Sequence, residues 1–133
     1  MNQSHCICGS GKPFEKCCQR FLSGAEQAKT AEQLMRSRYS AYALGGHGDY
    51  LLKTWFPATA ANLDPIELSQ RSQNWQRLEI LDKSQKGDDA TVEFNAYYLI
   101  ENSDQLKVMH EVSQFKRVAG RWLYVGGVVN TTH

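Results

Sequence analysis

The sequence has no apolar run near the roughly twenty residues that a membrane-spanning helix needs, so membrane insertion is not expected. Met1 is followed by polar residues and then cysteines, with no apolar signal segment. The expectation is a cytoplasmic protein whose thiols stay reduced. Neither sign of charge is in excess: 15 Lys and Arg stand against 14 Asp and Glu, a formal net charge of +1. That balance removes the general argument for nucleic acid or an anionic membrane as partner. The chain has no C-x-x-C pair, no Ser-His-Asp pattern, no internal repeat and no low-complexity tract. Gly9-Ser10-Gly11-Lys12 lacks the upstream glycine and the strand-helix setting of a Walker loop. No catalytic set is assigned, and the reading favours a binding protein over an enzyme.

What is there begins with four cysteines, Cys6, Cys8, Cys17 and Cys18, all near the N-terminus. Zinc favours four borderline-soft ligands in a tetrahedron, and four thiolates make a closed structural site. Gly9-Ser10-Gly11 supplies the tight turn that lets the two pairs converge, since glycine accepts positive φ, and its amides are placed to donate to the sulfurs. Lys12 and Lys16 are candidates to offset the surplus negative charge of such a site. Phe14 gives the segment one apolar side chain to bury. So short a segment cannot offset its own ordering entropy, and metal binding would supply its folding energy. The expected cofactor is one Zn2+ per chain. Disulfides, a redox role, free thiols, iron in place of zinc, and His5 in place of one cysteine are the alternatives.

The rest of the chain is longer and more regular. Thr30 caps a helix over residues 31–44, with Gln33 in the capping-box position and Gly45-Gly46 as the stop. Leu34, Met35, Tyr39 and Tyr42 recur at helical spacing. Shorter helices are expected over Asp49–Trp55, ended by Pro57, and over 65–73, capped by Asp64. Beyond Gln73 the period becomes two. Leu78 and Ile80 mark a strand. Val92, Phe94, Ala96, Tyr98 and Ile100 alternate along residues 91–101, and strands 107–118 and 121–129 meet at Ala119-Gly120. Residues 87–104 carry five acidic residues and no basic one, which reads as a solvated hairpin. Helices first and a meander of strands after give an α+β fold, with helices packed on one face of a curved antiparallel sheet. The expected units are a knuckle over 1–22 and an α+β domain over 30–133.

The run from Cys6 to Cys18, with its Gly-Ser-Gly-Lys turn, closely resembles the SEC-C motif. That motif occurs in the C-terminal tail of the translocase motor SecA and in many bacterial proteins. Its last ligand is His or Cys, and here it is Cys18. The resemblance implies zinc and a protein partner docked through the knuckle. Met35-Arg36-Ser37-Arg38-Tyr39-Ser40-Ala41-Tyr42, Asp49-Tyr50-Leu51, Glu111-Val112-Ser113-Gln114-Phe115 and Gly120-Arg121-Trp122-Leu123-Tyr124 resemble the YchJ family of small bacterial proteins. That resemblance implies a cone-shaped fold like nuclear transport factor 2. Some relatives carry a second cysteine cluster near the C-terminus, and these 133 residues hold none.

Cones of this type enclose a cavity between helices and sheet, so a small-molecule ligand is the alternative to an adaptor role. Tyr39, Trp55, Glu111 and Ser113 are the candidate pocket residues. Glu111 and His110 are neighbours on a strand and point to opposite faces, so only one of them faces the cavity. Glu111 then acts either as a general base or as a structural carboxylate paired with Arg36 or Arg38. The knuckle's basic excess is too small to favour nucleic acid.

Overall fold

In the computed structural model, residues 5–70 and 73–131 are described. The N-terminal segment makes a single turn at Phe14–Lys16 and enters helix α1, Cys18–Leu22. Helices α2 (Ala31–Leu44), α3 (Gly48–Lys53) and α4 (Pro65–Leu68) follow. Strands β1 (Asn74–Lys86), β2 (Asp89–Leu99), β3 (Leu106–Val118) and β4 (Arg121–Thr131) then form one antiparallel sheet in chain order. This is the α+β plan the sequence pattern predicts.

Helix α2 is the axis of the molecule. Its start is fixed by the Thr30 hydroxyl, which accepts the Gln33 amide at 3.1 Å. The Gln33 side chain reaches back to accept the Lys29 amide at 2.7 Å. At the far end Gly45, with φ 75, returns its amide to the Ala41 carbonyl, a left-handed stop that glycine makes without strain. Nine of its 14 residues are buried. A helix with one apolar stripe would bury fewer. Here α1, α3 and the strands β1, β2 and β4 all pack against it.

The sheet bends around α2 because its pairing slips. Register shifts fall between Trp75 and Arg77, between Ile80 and Asp82, and between Gln114 and Phe115. Each bulge adds local twist and bend. Along β2 the buried positions are Ala90, Val92, Phe94 and Ala96, and along β3 Glu111, Ser113 and Phe115. Phe94 lies opposite Glu111 and Val92 opposite Ser113. The segment after α3 is stitched to the sheet, with the Phe56 amide donating to the Tyr124 carbonyl and the Tyr124 amide to the Thr54 carbonyl, both at 2.8 Å.

The helix ends differ from the sequence expectation for local reasons. Helix α3 stops at Lys53 because the Thr54 hydroxyl bonds back to the Tyr50 carbonyl and Trp55 joins a bridge to Tyr124. Helix α4 stops at Leu68: the Ser69 hydroxyl bonds the Pro65 carbonyl, and its carbonyl accepts the Gly46 amide. Arg71 and Ser72, within the expected longer helix, lie outside the described residues. Helix α1 carries too few residues for a periodic signal and is not anticipated. The acidic stretch is not a solvated hairpin: most of it is the central strand β2, whose Ala90, Val92, Phe94 and Ala96 are buried, and its acidic side chains face outward, three of them paired. Asp88 pairs with Arg117, Asp89 with Lys116, and Glu93 with His110.

Helices α3 and α4 meet at Gly48. A Cβ there would sit 1.7 Å from the Pro65 carbonyl oxygen, a backbone atom that cannot move alone. Gly48→Ala is therefore expected to cost about 3 kcal/mol, read as a lowered midpoint in urea unfolding with an unchanged slope.

Candidate metal centre and cone cavity

The four cysteines converge. Their sulfurs lie within 4.8 Å of one another, and all four side chains are buried. Cys8 and Cys17 sulfurs stand 3.6 Å apart, and those of Cys17 and Cys18 4.0 Å. Four sulfurs bound at about 2.3 Å to one tetrahedral zinc stand about 3.8 Å apart, so the donor set fits such an ion with little rearrangement. All four cysteines are free thiols. His5 is outside the group and bridges to Pro13.

The turn is built as its glycines suggest. Gly9 has φ 81 and Gly11 φ 84. The Gly9 amide donates to the Cys6 carbonyl at 3.1 Å, and the Cys6 amide to the Lys12 carbonyl at 2.7 Å. The Gly9 amide is thus spent on backbone. Contacts to sulfur come instead from the amides of Cys8 and Cys18 on Cys6, from Ser10 Oγ at 3.1 Å to Cys17, and from Ser40 Oγ at 3.7 Å to Cys6. Phe14 packs against the core as expected.

Crowding makes the thiols share protons unequally. Hydrogen bonds from Cys18 and Cys8 hold the Cys6 thiol far below its ordinary range. The same bonds, to Cys6 and then Cys8, push Cys18 up, and burial adds to this. For Cys8 the Cys18 contact lowers the value, but Cys6 and desolvation outweigh it and leave it raised. Four sulfurs this close and this buried suit a shared cation at their centre.

Two arginines that the sequence pattern does not assign to this cluster reach its backbone: Arg20 Nε donates to the Cys17 carbonyl at 3.1 Å, and Arg36 is the more buried of the two. Arg36 Nη1 donates to the Cys8 carbonyl at 2.8 Å, and its Nε to Glu32 at 2.9 Å. Burial opposes its charge, but Glu32 and Cys8 more than compensate and its pKa is raised. Lys12 and Lys16 are exposed. Glu32 also receives Lys83 Nζ at 2.6 Å, which ties α2 to β1.

On the far side of α2 lies a cavity of about 220 Å³, lined by Tyr39, Glu111 and Ser113 among others. Three of the four expected pocket residues thus come together. Trp55 lies behind the wall, edge-on to Tyr124 at 5.1 Å and beneath the Arg38 guanidinium at 4.7 Å. Glu111 accepts the Ser113 hydroxyl and, at 3.1 Å, the Tyr124 hydroxyl. Neither Arg36 nor Arg38 lies within ion-pair distance of it. Arg38 is 3% exposed and donates to the Leu51 carbonyl and the Thr54 hydroxyl, each at 2.7 Å; burial lowers its pKa. His110 is on the opposite face, 2.7 Å from Glu93. The Tyr39 hydroxyl is buried without a partner among the described residues, and burial pushes its pKa up to about 12.

Two outcomes follow. Lys83, ahead of Arg36, depresses Glu32 below its ordinary 4.5 against the opposing effect of burial. A depressed carboxylate stabilises the fold above its unfolded pKa and loses this as pH falls through the folded value. Glu32→Gln should cost about 1 kcal/mol near pH 7 and flatten the acid limb of stability against pH, followed by urea unfolding. Tyr39→Phe removes an unpaired buried hydroxyl and should raise stability by about 1 kcal/mol, by the same measurement.

Comparison with known proteins agrees with this architecture. A family model described as YchJ, middle NTF2-like domain, matches residues 30–127. A UPF0225 protein of Photorhabdus laumondii is 38% identical over 127 residues, covering 92% of this chain and 79% of its own. Another from Streptomyces coelicolor is 41% identical over 128 residues, covering 92% and 93%. The solution structure of a SEC-C motif containing protein from Rhodopseudomonas palustris superposes with a TM-score of 0.84 at 36% identity, covering 94% of this chain and 98% of that one. The crystal structure of a SEC-C motif containing protein from Psychrobacter arcticus gives 0.81 at 27% identity, covering 98% and 85%. With the four-cysteine turn in front and the helix-filled curved sheet behind it, the chain belongs to the YchJ family, an NTF2-like domain carrying an N-terminal SEC-C motif.

Proposed function

We propose that the chain binds one zinc ion through Cys6, Cys8, Cys17 and Cys18, and that the loaded knuckle docks a protein partner. The observation that carries this reading is the burial of four converging sulfurs at near-tetrahedral spacing. When bound, such an ion supplies folding energy at a closed site with no open coordination position. The chain's own residues do the rest. Ser10 and Ser40 orient sulfurs, Arg36 offsets their charge, and the floor of α2 fixes the segment in place. What the knuckle then presents outward is its turn, with Gly11, Lys12, Glu15, Lys16 and Gln19 exposed. A rigid, mildly basic tip on a buried anchor suits an acidic surface on a protein partner. Free thiols at this density suit a reducing compartment, and this supports a cytoplasmic setting for the protein.

A second reading belongs to the other side of α2: the cone binds a small molecule. It is supported by a cavity of about 220 Å³ whose lining includes Glu111, Tyr39 and Tyr124. Of Glu111 and His110, it uses Glu111, since His110 faces away.

The zinc reading is tested by metal analysis of untagged protein. One zinc per chain is expected, lost in Cys6→Ser, with a large fall in stability when a chelator strips the wild type. Metal-free protein of unchanged stability would refute it. The docking reading is tested by Lys12→Glu with Lys16→Glu, which should keep zinc and lose the partner captured by the wild type. Capture that persists in this pair and in Cys17→Ser would rule docking out.

A further inference from the structure

We propose that the free half of strand β4, residues 125–131, pairs antiparallel with the same segment of a second copy of this chain, so that two four-stranded sheets join into one. This surface is separate from both the knuckle and the cone cavity.

The two edges of the sheet are built differently. β1 is the guarded edge. Its 13 residues include Arg77, Glu79, Asp82, Lys83 and Lys86, and its register slips twice. Charges and bulges on an edge keep other strands from adding to it. β4 has no such guard. From Trp122 to Thr131 it carries no Asp, Glu, Lys, Arg or Pro. Its register slips early, between Gln114 and Phe115 of β3, and from Gly126 to Thr131 the pairing with β3 runs unbroken.

The backbone of this edge is half used. The Tyr124 amide and carbonyl are taken by Thr54 and Phe56, both at 2.8 Å, so β4 accepts a strand where the chain supplies one. Beyond Tyr124, no described residue outside β3 bonds to the backbone of 125–131. In an antiparallel ladder the N–H and C=O of every second residue point away from the neighbouring strand. They leave a row of unpaired groups, ready for another chain. Gly127, Val128 and Val129 are exposed, the two valines by 65% and 49%. Gly126 has open space where a Cβ would stand, so an approaching backbone meets little there.

A second copy is the occupant that fits. Two-fold pairing sets a strand against itself, and a charged strand would then oppose like with like. This segment has no charge to oppose. The basic residues nearest on β3, Lys116 and Arg117, lie beside Leu123 and Trp122, at the end already covered by residues 54–56. In the symmetric register Val128 is the middle residue and meets its own counterpart, a pairing of β-branched side chains that suits a sheet. The formal net charge of +1 sets no strong repulsion between copies, and closed two-fold dimers are the commonest way a self-complementary surface is used. So short a segment buries less than a standard interface of about 1,600 Å², and association in the range of about 10–100 µM is expected.

Sedimentation equilibrium from about 5 µM to about 1 mM tests this by mass action, with amide hydrogen exchange at both ends of the range. A monomer–dimer equilibrium is expected, with the amides of residues 125–131 slowed at least about tenfold at the high end. Val128→Lys and Val128→Glu change an exposed side chain and should leave the far-UV circular dichroism as it is. Each alone is expected to stay monomeric, because like charges meet across the two-fold axis. Their equimolar mixture is expected to dimerise, because opposite charges then meet. A wild type that stays monomeric throughout would overturn the self-pairing and leave the edge to a strand from another protein. A dimer that persists in both charged variants, or that fails to return in their mixture, would place the interface elsewhere and overturn it as well.

Discussion

The structure depends on one constraint: helix α2 has no solvent side to spare. The knuckle and α1 lie against it from one direction, α3 from another, and the concave sheet from a third. A helix in that position is ordinarily apolar all round. This one carries Arg36, Ser37, Arg38 and Ser40 in succession with Tyr39. Each polar group therefore needs a partner supplied by whatever covers it. Ser37 binds the Tyr50 hydroxyl at 2.6 Å, Arg38 takes the Leu51 carbonyl of α3, Arg36 takes a knuckle carbonyl, and Ser40 meets a sulfur. The polar groups of α2 fix which elements lie where, and the apolar ones supply the burial.

The knuckle illustrates the trade. Its cysteines share one core with Leu34, Met35 and Tyr39, so a thiolate there is a buried charge. Their mutual contacts push Cys6 down and Cys18 up. Four thiolates around a divalent cation carry a net charge of −2, and fixed compensation comes from Arg36 on the Cys8 carbonyl and Arg20 on the Cys17 carbonyl. The two lysines in the motif were the more obvious choice from sequence because they are close along the chain. They are flexible and exposed, and screening by water leaves such charges weak. An arginine held by Glu32 at one end and a carbonyl at the other loses no further freedom when the cluster charges.

The sequence carried the order and type of the long elements, and it carried the cysteine site, because both are written in local pattern. Thr30, Gln33 and Gly45 bracket α2 within the chain itself, and the alternation from Val92 to Ala96 marks a sheet face directly. What it did not carry is tertiary. Helix α4 ends where Ser69 finds Pro65 and Gly46, partners that only the folded chain brings near. The expected pairing of Glu111 with an arginine fails because Thr54 and the Leu51 carbonyl reach Arg38 first, and two hydroxyls reach Glu111. Arg36 could have been found. Glu32, Arg36 and Ser40 step by four along a helix whose neighbouring positions are core, and such a stripe faces a polar partner.

Glu111 is the harder case, because a buried carboxylate without a cation needs its own explanation. Gly127 provides part of it. A Cβ at that position would lie 2.7 Å from Glu111 Oε2 and 2.9 Å from the Val112 carbonyl. The absence of a side chain on β4 is what lets the carboxylate settle between Ser113 and Tyr124. Tyr124 is held in turn: it is edge-on to Phe115 at 5.7 Å, stacked under Arg38 at 4.6 Å, and bonded through its backbone to Thr54 and Phe56. Burial and the nearby carboxylate both raise its phenol pKa, so it stays a donor. A carboxylate with two fixed hydroxyl donors on one oxygen is oriented without being neutralised. An ion pair would consume the charge; this arrangement keeps one oxygen directed and available, at the cost of a buried charge that only hydrogen bonds support. Glu111 is thus held by hydrogen bonds alone, and the opening left by Gly127 is what makes room for it.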